Sequence, residues 1–144
     1  LLEREPLTIS DMRTMLSEKS GLLGVSGVSG DMRTLMSSEQ PSAAEAIALF
    51  VHRAAREIAA TAVDLGGIDA LVFTGGIGEH QPLIRQAICA RLAWMGVHVS
   101  QDSSAVGEDL CVSEERSVVK VWVIHTDEES VMANAAFALC ESLS

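Results

Sequence analysis

The chain has 144 residues, enough for one domain with a sizeable core, and its 48% hydrophobic and 21% charged residues are a globular balance, not a disordered one. A formal charge of −10, from 10 Lys and Arg against 20 Asp and Glu with no basic stripe, argues against nucleic acid as a partner. No window holds the run of about 18 apolar residues that a membrane span needs, so no membrane partner is expected.

The start, Leu1-Leu2-Glu3-Arg4-Glu5-Pro6, has neither the pattern of a signal peptide nor an initiator Met, as expected of a piece of a longer protein. Thr8-Ile9-Ser10-Asp11 looks like a helix start, and a short helix to about Glu18 follows. Ser20 to Gly30 is expected to be a glycine- and serine-rich loop whose Leu22, Leu23, Val25 and Val28 pack onto a core, with Asp31-Met32-Arg33 closing it. Pro41 then precedes Ser42-Ala43-Ala44-Glu45, which has the form of a capping box. Ile47, Phe50, Val51, Ala54, Ile58, Ala62 and Leu65 recur at helical spacing up to the stop at Gly66-Gly67.

Ile68 to Phe73 is a short apolar run bounded by glycines, the form of a buried parallel strand. Beyond Thr74-Gly75-Gly76-Ile77-Gly78-Glu79-His80, a helix begins near Pro82 with Leu83, Ile84, Ala87, Ile88, Leu92 and Met95 as its stripe, and Gly96 ends it. Val97 to Val99 suggests a short strand, residues 100–117 are polar and irregular, and Ser117 to Thr126 is an apolar strand. Thr126-Asp127-Glu128-Glu129 has the form of a second capping box, opening a terminal helix through Val131, Met132, Ala135, Leu139 and Leu143. Alternating helices and strands predict a parallel α/β layer with right-handed crossovers. With only two or three strands in view, upstream strands are expected in the complete protein. Cys89, Cys111 and Cys140 form no metal motif and suit reduced thiols in the cytoplasm.

The strand–turn–helix around Gly75 is the first candidate site. A buried strand would deliver the glycines to the sheet edge where α/β proteins bind ligands, and a helix start offers unpaired N–H groups to an anion. Gly75-Gly76-Ile77-Gly78 lacks the spacing of a dinucleotide fingerprint and the Lys-Ser or Lys-Thr pair of a P-loop. A phosphate cradle and a plain tight turn both remain open on glycine content alone.

Three ordered stretches sharpen this: Ser20 to Gly27 with Asp31-Met32-Arg33, Phe73 to Glu79, and Thr126 to Glu129. Together they closely resemble the C-terminal domain of the acetate kinase family, over essentially the whole chain. The resemblance implies a ribonuclease-H-like domain of the actin, sugar-kinase and heat-shock ATPase superfamily, incomplete, with mainly parallel strands and covering helices. Residues 1–144 would form the C-terminal nucleotide-binding domain. It implies ATP/ADP and Mg²⁺, with acetate or another short carboxylate as substrate, and a homodimer paired through this domain.

By the same resemblance Asp31, Met32 and Arg33 line the adenosine pocket. Physically, Arg33 can stack on adenine and Asp31 can accept from ribose hydroxyls, or the two can form a loop salt bridge. Gly76, Ile77, Gly78, Glu79 and His80 match a second adenine segment, where the glycines would pack on the purine; His80 stands where the family usually has Asn. Glu128 matches a Mg²⁺-associated glutamate, although an acid here can also simply stabilise the helix dipole. His125 and Asp127 replace the usual Pro and Asn before it. His52 and His98 suit structural or surface roles, and the Met residues suit the core. The family's substrate-side and catalytic residues have no counterpart in this sequence, so the chain alone is expected to be inactive. The alternatives are a non-catalytic nucleotide-binding and dimerisation piece, or a propionate or butyrate kinase.

Overall fold

The computed structural model describes residues 8–100 and 109–142. The signal-peptide question at Leu1–Pro6 and the helix position of Leu143 therefore lie outside the described residues. The chain divides into two compact units, Leu1–Asp64 and Leu65–Ser144.

The first unit is helical. Helix α1 (Ile9–Ser17) starts as expected: the Thr8 hydroxyl accepts from Asp11 N–H, and the Asp11 carboxylate accepts from Thr8 N–H. The stretch expected as a loop instead contains helix α2 (Gly21–Ser26), ended by Gly27 at φ 63°. Gly and Ser lower helix propensity, but Leu22, with Val28 just beyond the helix, packs on a core of Leu35, Ala43 and Ala46, and that burial outweighs propensity. Val25, expected in the same core, is exposed on the outer side of the turn's apolar positions. Asp31 caps helix α3 (Met32–Met36), its carboxylate accepting from Thr34 N–H at 2.9 Å. Helix α4 (Pro41–Asp64) begins at Pro41 itself. Ser42 consequently lies inside the first turn and the expected capping box is absent; Pro at the first position needs no N–H partner. Ala43, Ala46, Val51, Ala55 and Ala62 are its buried stripe.

The second unit is a small mixed sheet with helices. Strand β1 (Ala70–Phe73) leads into α5 (Gly75–His80), α6 (Pro82–Arg91) and a 3-10 turn at Ala93–Met95. Strands β2 (Leu110–Cys111) and β3 (Lys120–Val123) and helix α7 (Glu128–Ser142) follow. The sheet order is β1-β3-β2. β1 runs parallel to β3, Phe73 opposite Val123, whereas β2 is antiparallel to β3, Cys111 opposite Trp122. The described sheet is thus mixed: its longer ladder is parallel, as expected, and the short β2 adds an antiparallel edge. The reason is local: residues 112–119 make a short return, and antiparallel neighbours need no helical crossover. Val97 to Val99 makes only two isolated bridges, to Val119 and Ser113.

Phe73, Ile84, Ile88, Cys89, Leu92, Val97, Val112, Val119, Val121 and Val123 form the buried apolar set of this unit. Val72 and Trp122, opposite one another in register, are exposed on the other face of the sheet. Val131, Met132 and Leu139 of α7 are exposed as well. Among the described residues no helix is long and apolar enough to cross a membrane.

Candidate functional site

The glycine string is not an open turn. It is the short helix α5, preceded by Thr74 in extended conformation and broken at Gln81 before Pro82 opens α6. Its glycines have separate jobs. Gly75 has φ +70°, which an L side chain tolerates poorly. A Cβ on Gly78 would lie 3.2 Å from the carbonyl carbon of Phe73, so this glycine lets α5 fold back onto the end of β1. A Cβ on Gly76 would meet nothing within 4 Å, so bare backbone here faces open space. Ile77 is half-buried and His80 exposed at the end of the helix.

Glu79 fixes this helix to the end of the neighbouring strand. It is 6% exposed. One carboxylate oxygen accepts from Gly75 N–H at 2.7 Å, Thr126 N–H at 3.1 Å and the Thr126 hydroxyl at 3.0 Å. The other oxygen lies 2.6 Å from His125 Nδ1. The His125 contact, then the Thr126 and Gly75 donors, favour the ionised acid and hold its pKa down at about 2. An ionised carboxylate has no proton to donate, so Nδ1 is the donor of this pair. The same contact raises the His125 pKa above its ordinary value, with Asp127 and Asp109 adding to the effect. Glu79 is thus committed to internal donors, where the sequence had suggested a nucleotide contact.

Thr126 serves Glu79, so it does not cap α7 as the capping-box pattern suggests. Asp127 takes that role: its carboxylate accepts from Ser130 N–H at 3.0 Å and from the Ser130 hydroxyl at 2.6 Å. Glu128 is the first residue of α7, and its side chain lies outside the described ones. Gly75, Gly76, Glu79, His80, His125, Thr126, Asp127 and Glu129 together line a cleft of about 430 Å³. The β1–α5 and β3–α7 junctions therefore meet at one sheet end, as two parallel strands carrying helices at their C-terminal ends require.

Arg85 is the residue that the sequence reading missed. Only 1% exposed, it donates from Nη1 to the carbonyls of Gly78 and Glu79, both at 2.8 Å. It thus holds the last carbonyls of α5, and burial lowers its pKa. The signal was present: Arg85 stands three, four and seven residues before Ile88, Cys89 and Leu92, on the apolar face of α6.

The other predicted group lies in the first unit. Asp31 is engaged with Thr34, which holds its pKa down, and with Arg33 at 3.6 Å, both side chains solvent-exposed. Met32 is 3% exposed and belongs to the core. Arg33, 80% exposed, is the member best placed to meet a ligand.

Comparison with known proteins adds a family to this geometry. Residues 1–134 match the model of the acetokinase family. Over 142 residues the chain is 47% identical to an acetate kinase of Rhodopseudomonas palustris, covering 98% of this chain and 36% of that protein. The structure is similar to the crystal structure of Porphyromonas gingivalis acetate kinase, with TM-score 0.80, 32% identity, 93% of this chain and 35% of that one. A propionate kinase of Francisella tularensis gives TM-score 0.74 at 34% identity, over 85% of this chain and 32% of that one. The chain spans about a third of the length of the relatives it matches. It belongs to the acetokinase family.

Proposed function

We propose, from this family membership, that the chain is the nucleotide-side part of a kinase transferring a phosphoryl group between ATP and a short carboxylate such as acetate. The observation that carries the proposal is the cleft at the β1–α5 and β3–α7 junctions. There the open backbone of Gly76 lies beside a helix start that carries Glu128. A flat base can pack against bare glycine backbone. In this reading Gly76, Ile77 and Gly78 form the adenine-side wall, with His80 at its rim and Glu79 holding it in register. Asp31, Met32 and Arg33 are assigned to the adenosine pocket, Arg33 making the contact.

The chemistry of the donors suits Mg²⁺, which takes one or two carboxylates and completes its shell with phosphate oxygens and water. Glu128 is the carboxylate we assign to it, since Asp127 is engaged with Ser130. When bound, the ion would neutralise charge on the transferring phosphoryl group. The residues of this chain would bind and orient the nucleotide. The fold assigned is the ribonuclease-H-like domain of the actin superfamily, working in the cytoplasm as one half of a two-domain site. No Lys or Arg lines the described cleft, and transfer needs cationic groups around the phosphoryl oxygens. Hence the 144-residue chain is inferred to bind nucleotide without forming acetyl phosphate.

Calorimetric titration with Mg-ADP on wild type and Glu128→Ala tests the reading. Weaker binding in the variant is expected; equal binding would remove the metal role of Glu128. A hydroxamate assay showing acetyl phosphate made by the chain alone would refute its inactivity. A homodimer is also proposed, supported by exposed Val131, Met132 and Leu139 on α7. Light scattering that finds only monomer at high concentration would count against it.

A further inference from the structure

The cleft contains an arrangement whose use goes beyond holding the fold. His125 is one of the residues lining the cleft, and its side chain is 59% exposed. One ring nitrogen, Nδ1, is engaged by the buried carboxylate of Glu79 at 2.6 Å. The backbone is pinned too, because His125 N–H donates to the Asp109 carboxylate at 3.2 Å. A ring held at one nitrogen by an acid presents the other nitrogen in a fixed direction. Among the described residues of the cleft, only His80 and His125 can carry positive charge, and Glu79, Asp127 and Glu129 are its acids.

We propose that His125 is the anion-facing donor of the cleft: Glu79 holds Nδ1, and the N–H on Nε2 meets a phosphate oxygen of the bound nucleotide. This rests on the nucleotide-binding reading above. The charged groups facing the ring are Glu79 from α5, Asp109 from the segment before β2 and Asp127 from the start of α7; all three favour the imidazolium. His80 and Glu129 are the other titratable residues lining the cleft. Glu79 is a positioning residue in this scheme, and His125 is a binding residue that works best when protonated. Nucleotide affinity therefore falls as pH rises through the His125 titration.

The test is calorimetry with Mg-ADP on the 144-residue chain between about pH 6 and about pH 9, for wild type and His125→Gln. The intrinsic titration of ADP is common to both proteins and cancels in the comparison. Wild type is expected to lose about tenfold more affinity than the variant over this range, the usual worth of one charge-assisted hydrogen bond. In wild type alone, the NMR titration of the His125 ring should move to higher pH when Mg-ADP is added, a readout that does not depend on the variant folding. Equal pH slopes, or a ring titration unmoved by ADP that shifts the Gly76 amide, would overturn this inference and leave the nucleotide reading standing. If ADP shifted neither Gly76 nor His125, both would fall.

Discussion

Three substitutions of one residue type by another, within four positions of α5, should give three different stabilities. At Gly78, a Cβ would sit 3.2 Å from the Phe73 carbonyl carbon and 3.5 Å from its Cα and Cβ. Phe73 is buried at the end of a paired strand, so the backbone cannot retreat without disturbing the β1–β3 ladder. Overpacking of this kind costs about 1–3 kcal/mol, and the better helix propensity of Ala offsets at most about 1 kcal/mol of it. At Gly75 there is room for the methyl group, but φ +70° remains, at a cost of roughly 1–2 kcal/mol. At Gly76 neither obstacle exists, and Gly76→Ala should be neutral or stabilising by about 0.5–1 kcal/mol. Both tryptophans, Trp94 and Trp122, lie in the Leu65–Ser144 unit. Urea unfolding followed by their fluorescence therefore reports the unit that carries the glycines. With a slope of about 1–3 kcal/mol/M, Gly78→Ala should lower the midpoint by about 1 M while Gly76→Ala leaves it in place or raises it. A Gly76→Ala midpoint that falls as far as that of Gly78→Ala would refute the assignment of separate roles.

Glu79 is ionised in the folded chain down to about pH 2, against an ordinary value of 4.5. Its contribution to stability is therefore present above pH 4.5 and lost as pH falls toward 2. Glu79→Gln should be less stable than wild type at neutral pH, with the gap closing over that acid window; a gap independent of pH in urea titrations would contradict the carboxylate's role. Arg85→Met removes the donor to the Gly78 and Glu79 carbonyls and should cost about 2–3 kcal/mol, with the Gly75 to His80 amides exchanging faster by hydrogen–deuterium exchange. An unchanged exchange pattern would show that α5 does not depend on it.

The parts of the fold legible in the sequence are those fixed by local patterns. The apolar run before Gly75 gives β1, the Thr8–Asp11 reciprocal cap gives α1, and the periodic stripe after Pro41 gives α4. What escaped depends on partners far along the chain. Thr126 has the form of a helix cap, yet its hydroxyl is drawn to Glu79, and Asp127 caps in its place. Nothing within a few residues of either position signals that exchange. Leu110 and Cys111 become a strand only because β3 offers them an edge, so a polar, irregular stretch conceals β2. The α2 segment is helical because Leu22 reaches a core that composition does not reveal. The motifs picked out Gly76 and Glu79, but the sequence left their jobs open. Gly76 has the open space, and Glu79 turns inward.

Nucleotide is proposed to bind where the α5 glycines meet the β3–α7 junction. The most direct test of this placement is the amide spectrum of isotopically labelled chain during titration with Mg-ADP. The largest shifts are expected at Gly75, Gly76, Thr126 and Glu129, which line the cleft. Saturable binding that left these four amides unmoved, with its shifts elsewhere in the chain, would contradict it.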